Sequence, residues 1–300
     1  MTQGHSLKAG LTWTLLWLAG SLPLSVLQAL GAGLGHLARW LGWREARVAR
    51  RSVALCLPGL DEAGQRALWR QNLVETGRTL GETLRFWTRP AATNLRQVTA
   101  VEGIQLLDAA LARGRGVIIA APHLGNWELL NQWLASRSPL AIVYRQPRRE
   151  WLDAVIRRAR GQPGVAQIPA EAAGVRALFK RLKEGGVVGI LPDQQPKRGD
   201  GTFAPFFGIP ALTMSLLPRL AHRTGATVLM AFAQRLPGRR GFRIQLRAAP
   251  VQIADADIEV ATAALNAALE DCIAIAPAQY QWSYKRFTIR PEGEAPISYR

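Results

Sequence analysis

The 300 residues carry 38 Lys+Arg against 21 Asp+Glu, a formal net charge of +17, and 48% of them are apolar. This is enough apolar mass for a sizeable core, and it excludes a disordered tail, a collagen-like fibre and a multi-span transporter. Cys56 and Cys272 are the only cysteines and lack C-x-x-C spacing, which argues against a disulfide framework or a thiolate zinc site.

The chain starts with a hydrophobic leader. From Ala9 to Gly35 no side chain is charged, and about twenty helical residues span a bilayer's hydrocarbon core. Trp13 and Trp17 near its start, and Trp40 and Trp43 beyond its end, suit an interfacial belt. A cleaved signal peptide is disfavoured by the thin positive region (Lys8 alone) and by the lack of a clean A-x-A site. A soluble core helix would be interrupted by Gly20, Pro23 and Gly31. A membrane anchor over 1–35, spanning or lying in the interface, fits best. Arg39, Arg44, Arg47, Arg50 and Arg51 follow it, so the positive-inside tendency turns the remainder toward the cytoplasm.

Beyond the leader, helix and strand patterns alternate. Asp61–Trp87 reads as a long helix capped by Asp61, and Gly103–Arg113 as a short one. Strands are expected at 116–121, 140–144, 165–169, 187–191 and 226–233, with Phe242–Leu246 alternating like an edge strand. Helices are expected at Asn126–Ser136, Arg148–Arg160, Glu171–Glu184, Ala211–Thr224 and Asp257–Ile275. The fold class is α/β, a mostly parallel central sheet flanked by helices. No linker divides 36–300, which reads as one catalytic domain.

In such sheets chemistry gathers at the carboxyl ends of the strands. Of four histidines, His123 alone occupies a strand-to-helix turn, and Glu128 follows five positions later with Gly125 between them. If the loop folds back, Glu128 reaches the imidazole, fixes its tautomer and makes the other ring nitrogen a general base. Gly125 and Asn126 open the helix, where backbone N–H groups are placed to receive an oxyanion or phosphate. The bland alternative leaves His123 capping the strand and Glu128 on a solvated helix face.

The wording of the loop, His123-Leu-Gly-Asn-Trp-Glu128, resembles the H-x-x-x-x-D/E motif of the glycerolipid acyltransferase superfamily, in the form used by the lipid A biosynthesis acyltransferases. Three further blocks resemble that family in the same order. They are Val101-Glu-Gly-Ile104 with Gly114-Arg-Gly-Val-Ile-Ile119, Leu191-Pro-Asp-Gln-Gln195 with Pro205-Phe-Phe-Gly-Ile-Pro-Ala211, and Gln279-Tyr-Gln-Trp-Ser-Tyr-Lys-Arg-Phe287 with Arg290-Pro-Glu-Gly293. Two departures stand out. Tyr284 occupies a position where the family commonly has histidine, and Gln146 separates Tyr144-Arg145 from Pro147.

The resemblance implies transfer of an acyl group from an acyl-carrier-protein thioester to a hydroxyl of a lipid A precursor, at the bacterial inner membrane. It implies no cofactor beyond that donor, and it makes the carrier protein, the precursor and an anionic membrane surface the expected partners. The residues favour direct displacement, because no G-x-S-x-G elbow exists and neither cysteine lies near a histidine. His123 and Glu128 would be catalytic. Arg145, Arg160 and Asp193, with Gly125 and Asn126, would bind substrate, and Arg198 is a weaker candidate. Phe203, Phe206 and Phe207 would either line a rim with the basic loop at 196–202 or sit beneath it as core. The alternatives are another membrane-lipid O-acyltransferase of the superfamily or a non-enzymatic basic membrane protein. Nucleic acid binding has no matching motif, and a metal site lacks a second histidine in reach of His123.

Overall fold

The leader folds as two helices, α1 (Gln3–Ala19) and α2 (Leu24–Trp40), in a computed structural model that describes residues 3–144, 146–147, 149–169 and 171–299. Their axes differ by 107°. Pro23 stands immediately before α2 with no N–H to carry a helix through the corner. This corrects the expectation of one anchor helix. Among the described residues no single helix is long and apolar enough to cross a membrane, although the bent pair passes together by length and composition.

Two helices follow, α3 (Arg44–Cys56) and the 27-residue α4 (Glu62–Thr88). Asp61 caps α4, accepting the Gly64 N–H at 2.8 Å. Helix α2 lies on α4 backbone to backbone. A Cβ on Gly77 would sit 1.9 Å from the Gly31 carbonyl oxygen, and one on Gly35 would sit 2.3 Å from that of Leu73. The inner stripe of α2, including Leu27, Gly31, Gly35 and Ala38, is therefore buried, and residue 35 falls within a helix attached to the body. Leu11, Leu15 and Leu18 of α1, with Leu30 and Trp40 of α2, are exposed.

The sheet region runs α5 (Ala91–Leu95), β1 (Val98–Glu102), α6 (Ile104–Ala112), β2 (Val117–Ala120), α7 (Trp127–Ala135) and β3 (Leu140–Tyr144). It continues with α8 (Glu150–Arg160), β4 (Val165–Pro169), α9 (Ala172–Lys183) and β5 (Val187–Ile190). A hairpin of β6 (Gly201–Phe206) and β7 (Ile209–Met214) precedes α10 (Leu216–Thr224), β8 (Thr227–Arg235), β9 (Phe242–Ala248) and α11 (Ile258–Ile275). The seven-stranded order is β1-β9-β8-β2-β5-β3-β4, with β8 and β9 the antiparallel neighbours. The expected mixed α/β class, mostly parallel and flanked by helices, is what folds.

Two expectations need correction. Strand β9 is not an edge, because β1 pairs with it in parallel on the side away from β8. Helix α10 does not begin at Ala211, since 209–214 pair with β6 around a tight turn at Phe207–Gly208. Both turn residues have positive φ, 50° and 74°, the geometry that joins two twisted strands across two residues.

Candidate active site

Strands β2 and β5 lie side by side in the middle of the sheet, with Ala120 opposite Ile190. Three residues beyond each strand stand His123 and Asp193. Equal steps from a shared register bring the two together at the carboxyl end of the sheet. Asp193 Oδ1 lies 2.7 Å from His123 Nδ1, and its Oδ2 accepts the His123 backbone N–H at 2.8 Å. The Asp193 side chain is 1% exposed and that of His123 is 15% exposed. Burial would raise the Asp193 carboxyl, but the imidazole charge and the bonds from the His123 ring and backbone outweigh it and hold the group below its ordinary value. An ionised Asp193 needs a donor on Nδ1, which leaves the neutral ring with its lone pair on Nε2. Trp127 meets the imidazole edge to face, with ring centroids 5.1 Å apart.

Glu128, expected on the imidazole, is elsewhere. Its two oxygens accept from Arg160, with Nε 3.1 Å from each. Glu128 is 4% exposed, so the solvated-face alternative fails as well. Burial opposes the Arg160 charge, yet the Glu128 carboxylate and its hydrogen bonds prevail and raise the guanidinium's pKa. This ion pair fastens α7 to α8. On α8, the Arg158 guanidinium also stands over the Trp13 ring of α1, 4.4 Å from its centroid.

Gly125 and Asn126 are at the site, but their N–H groups are engaged. Gly125 N–H donates to Gln279 O at 3.1 Å and Asn126 N–H to Ala233 O at 2.9 Å. They are therefore not oxyanion donors in this geometry. Gly125 is obligatory for a different reason: φ is +64°, and a Cβ would lie 2.0 Å from the Ala233 carbonyl oxygen. Asn126 caps α7 by accepting the Leu129 N–H at 3.1 Å, and its amide donates to Glu82 at 3.0 Å. Glu82 and Glu75 of α4 enclose the buried guanidinium of Arg235 at the end of β8.

The C-terminal segment closes over the same loop. Gln281 N–H donates to His123 O at 3.0 Å, and Gln194 Nε2 bridges His123 Nε2 (3.2 Å) and Gln281 Oε1 (3.1 Å). Tyr284, the departure from the family wording, accepts the Gln195 N–H at 3.0 Å. Buried Arg286 donates to Leu212 O at 2.6 Å and Thr213 Oγ1 at 2.9 Å, tying the β6–β7 hairpin to this segment. Phe206 is core, and Phe207 packs on it and on Trp282, so these two aromatics belong to the core rather than to a rim. Arg198 is exposed on that loop, while Arg145 lies outside the described residues. Among the described residues, no three His, Cys, Asp or Glu side chains group as metal ligands would.

Sequence reasoning placed His123 in the turn after β2, did not single out Gln194 or Gln281, and gave Asp193 a substrate-binding role rather than a place on the imidazole. The Pro-Asp-Gln-Gln wording was visible, but nothing local shows that it follows the strand beside β2. The resulting site pairs a buried carboxylate with a partly exposed imidazole, a pair that can take a proton from an attacking alcohol.

Comparison with known proteins places the chain in a family. The family model for bacterial lipid A biosynthesis acyltransferase matches residues 5–288. The chain is similar to a lipid A biosynthesis lauroyltransferase of Escherichia coli K12, 30% identical over 94% of this chain and 93% of the relative. A lipid A biosynthesis palmitoleoyltransferase of the same strain is also 30% identical, over 96% and 94%. A phosphatidylinositol mannoside acyltransferase of Mycobacterium tuberculosis is 30% identical over 71% of this chain and 68% of its own. The chain belongs to the bacterial lipid A biosynthesis acyltransferase family, whose work is acyl transfer in lipid A biosynthesis.

Proposed function

We propose that this protein moves a fatty acyl group from an acyl-carrier-protein thioester to a hydroxyl of a lipid A precursor, with His123 as the general base. The observation that carries the reading is the bond from His123 Nδ1 to buried Asp193, which leaves the Nε2 lone pair as the accepting side of a partly exposed imidazole. As the acceptor oxygen attacks the thioester carbonyl carbon, its proton passes to Nε2. The carbon–sulfur bond then breaks, and the leaving thiolate takes that proton back. Asp193 remains ionised and balances the imidazolium. A positioned base of this kind contributes about 10²–10⁴ in rate. Glu128 acts one step away, by holding Arg160 in place beside the His123 loop. Arg160 and Arg145 are the candidates for the acceptor's phosphates.

The exposed apolar side chains of α1 and α2 support a seat in the membrane interface, where both the acceptor and the fatty chain are found. The arginines that follow, Arg39 and Arg44–Arg51, suit the anionic cytoplasmic leaflet of a bacterial inner membrane. A second reading, in which the acceptor is another phosphorylated membrane glycolipid, draws on the mycobacterial relative.

One experiment separates these readings. Purified enzyme is given acyl-carrier-protein thioester with either a lipid A precursor or phosphatidylinositol mannoside, and products are weighed by mass spectrometry. The first acceptor should gain one acyl chain, and His123→Ala should abolish the gain while the variant still unfolds cooperatively. Acylation of the second acceptor alone would favour the alternative, and full activity of His123→Ala would overturn the base assignment.

A further inference from the structure

The Nε2 lone pair on which the proposed chemistry depends is already in use. The NH2 group of Gln194 has two hydrogens and two acceptors, His123 Nε2 at 3.2 Å and Gln281 Oε1 at 3.1 Å. Because Asp193 requires the proton on Nδ1, the Nε2 side can only accept, and the amide can only donate. The residues on both sides of Gln194 are tied down. The Asp193 carboxylate holds the His123 N–H, while Gln195 donates its backbone N–H to Tyr284 Oη and accepts the Ile289 N–H on its side-chain Oε1 at 3.0 Å. The bonds that fasten this loop are made by Asp193 and Gln195, and the Gln194 side chain adds only its two amide bonds to them.

We propose that Gln194, backed by Gln281, holds the His123 Nε2 lone pair until the acceptor hydroxyl displaces it, so that the base is withheld from water. The inference rests on His123 acting as the base. Without the latch, a water molecule gives its proton to Nε2 while its oxygen adds to the thioester carbonyl carbon. The carbon–sulfur bond breaks, the thiolate recovers the proton, and free fatty acid and carrier thiol result. The acceptor's hydroxyl offers Nε2 an equivalent hydrogen bond from a bound, oriented molecule, and so displaces the amide where water does not. Gln194 is thus a positioning residue that selects transfer over hydrolysis.

The test uses the full-length protein with acyl-carrier-protein thioester and no acceptor, following thiol release. A neutral hydrogen bond of about 1–1.5 kcal/mol corresponds to roughly tenfold. Gln194→Ala and Gln194→Met should each raise hydrolysis about tenfold and lower the KM for acceptor, shifting the ratio of hydrolysis to transfer toward hydrolysis. Met keeps the volume but cannot donate, so a wild-type rate from Gln194→Met would make the residue a filler and overturn the proposal. Gln281→Leu should raise hydrolysis by a smaller factor, since its backbone bond to His123 O is retained, and it reports independently if a Gln194 variant misfolds. His123→Ala with Gln194→Ala must abolish the added hydrolysis. If His123→Ala alone still transfers, the base assignment fails. If it is inactive and Gln194→Ala hydrolyses no faster than wild type, only the latch fails.

Discussion

Two buried charge clusters flank the loop from His123 to Glu128, and they are built to opposite ends. Around Arg235 the network is closed: the guanidinium meets Glu75, Glu82 and Thr79, and Glu82 also receives Asn126 and Gln28. The side chains of Arg235, Glu75 and Glu82 are 6%, 9% and 0% exposed. Around His123 the network is open on one side, with Asp193 wholly inside and the imidazole partly out. A cluster whose charges are paired with one another in the interior holds elements together. A cluster with one displaceable bond can trade that bond for a substrate. The difference is one of satisfaction rather than charge, because both contain deeply buried carboxylates.

The largest expected effect comes from breaking the open cluster at its buried end. Asp193→Asn keeps the shape but removes the charge that fixes the tautomer and balances the imidazolium. We expect kcat to fall by about 10²–10⁴ with a cooperative fold retained, measured by transfer assay and urea melt. The same variant has a defined pH signature. A carboxyl held below its ordinary value adds stability above about pH 4 and loses it as pH falls through the lower folded value. The stability gap between wild type and variant should therefore stay level near neutrality and close in acid. A gap that widens in acid would contradict the pairing.

Breaking the closed cluster should do the reverse. Arg235→Leu strands two buried carboxylates, a change that costs about 3–5 kcal/mol. The loss should appear in the urea midpoint, while the pH profile of the remaining folded enzyme keeps its shape. A changed profile with little change in midpoint would show that the two clusters are not separate in role.

How much of this was legible before the structure depends on the range of the interaction. Local features were readable: Asp61 as the cap of α4, the limits of β3 and β4, and a histidine in the turn after β2. Strand β1 was not, because Val-Thr-Ala-Val-Glu is short and half polar, and missing it made β9 look like an edge. The hairpin was hidden by residues that suit a helix as well as a strand, and only the turn at Phe207–Gly208 betrays it. Proximity in sequence favoured Glu128 as the partner of His123. The actual partner lies seventy residues on, and its place follows from Ala120 standing opposite Ile190. That register is a property of the assembled sheet, and no local pattern encodes it.

The smallest effect sharpens the comparison by removing burial from it. Glu62 and Arg66 form an ion pair at i, i+4 in the first turns of α4, with side chains 75% and 42% exposed. The order is favourable, acid before base, and Glu62 also lies near the positive end of the helix dipole. Water nevertheless screens both charges, so a double-mutant cycle of Glu62→Gln and Arg66→Gln should give a coupling of about 0.3–0.5 kcal/mol that fades with added salt. Glu62→Gln alone should cost slightly more than Arg66→Gln, because only the former also gives up the dipole interaction. A coupling as large as that of Arg235 with its two glutamates would mean that charge itself, and not exclusion of water, sets the strength of these pairs. The contrast between the closed and open clusters would then need another cause.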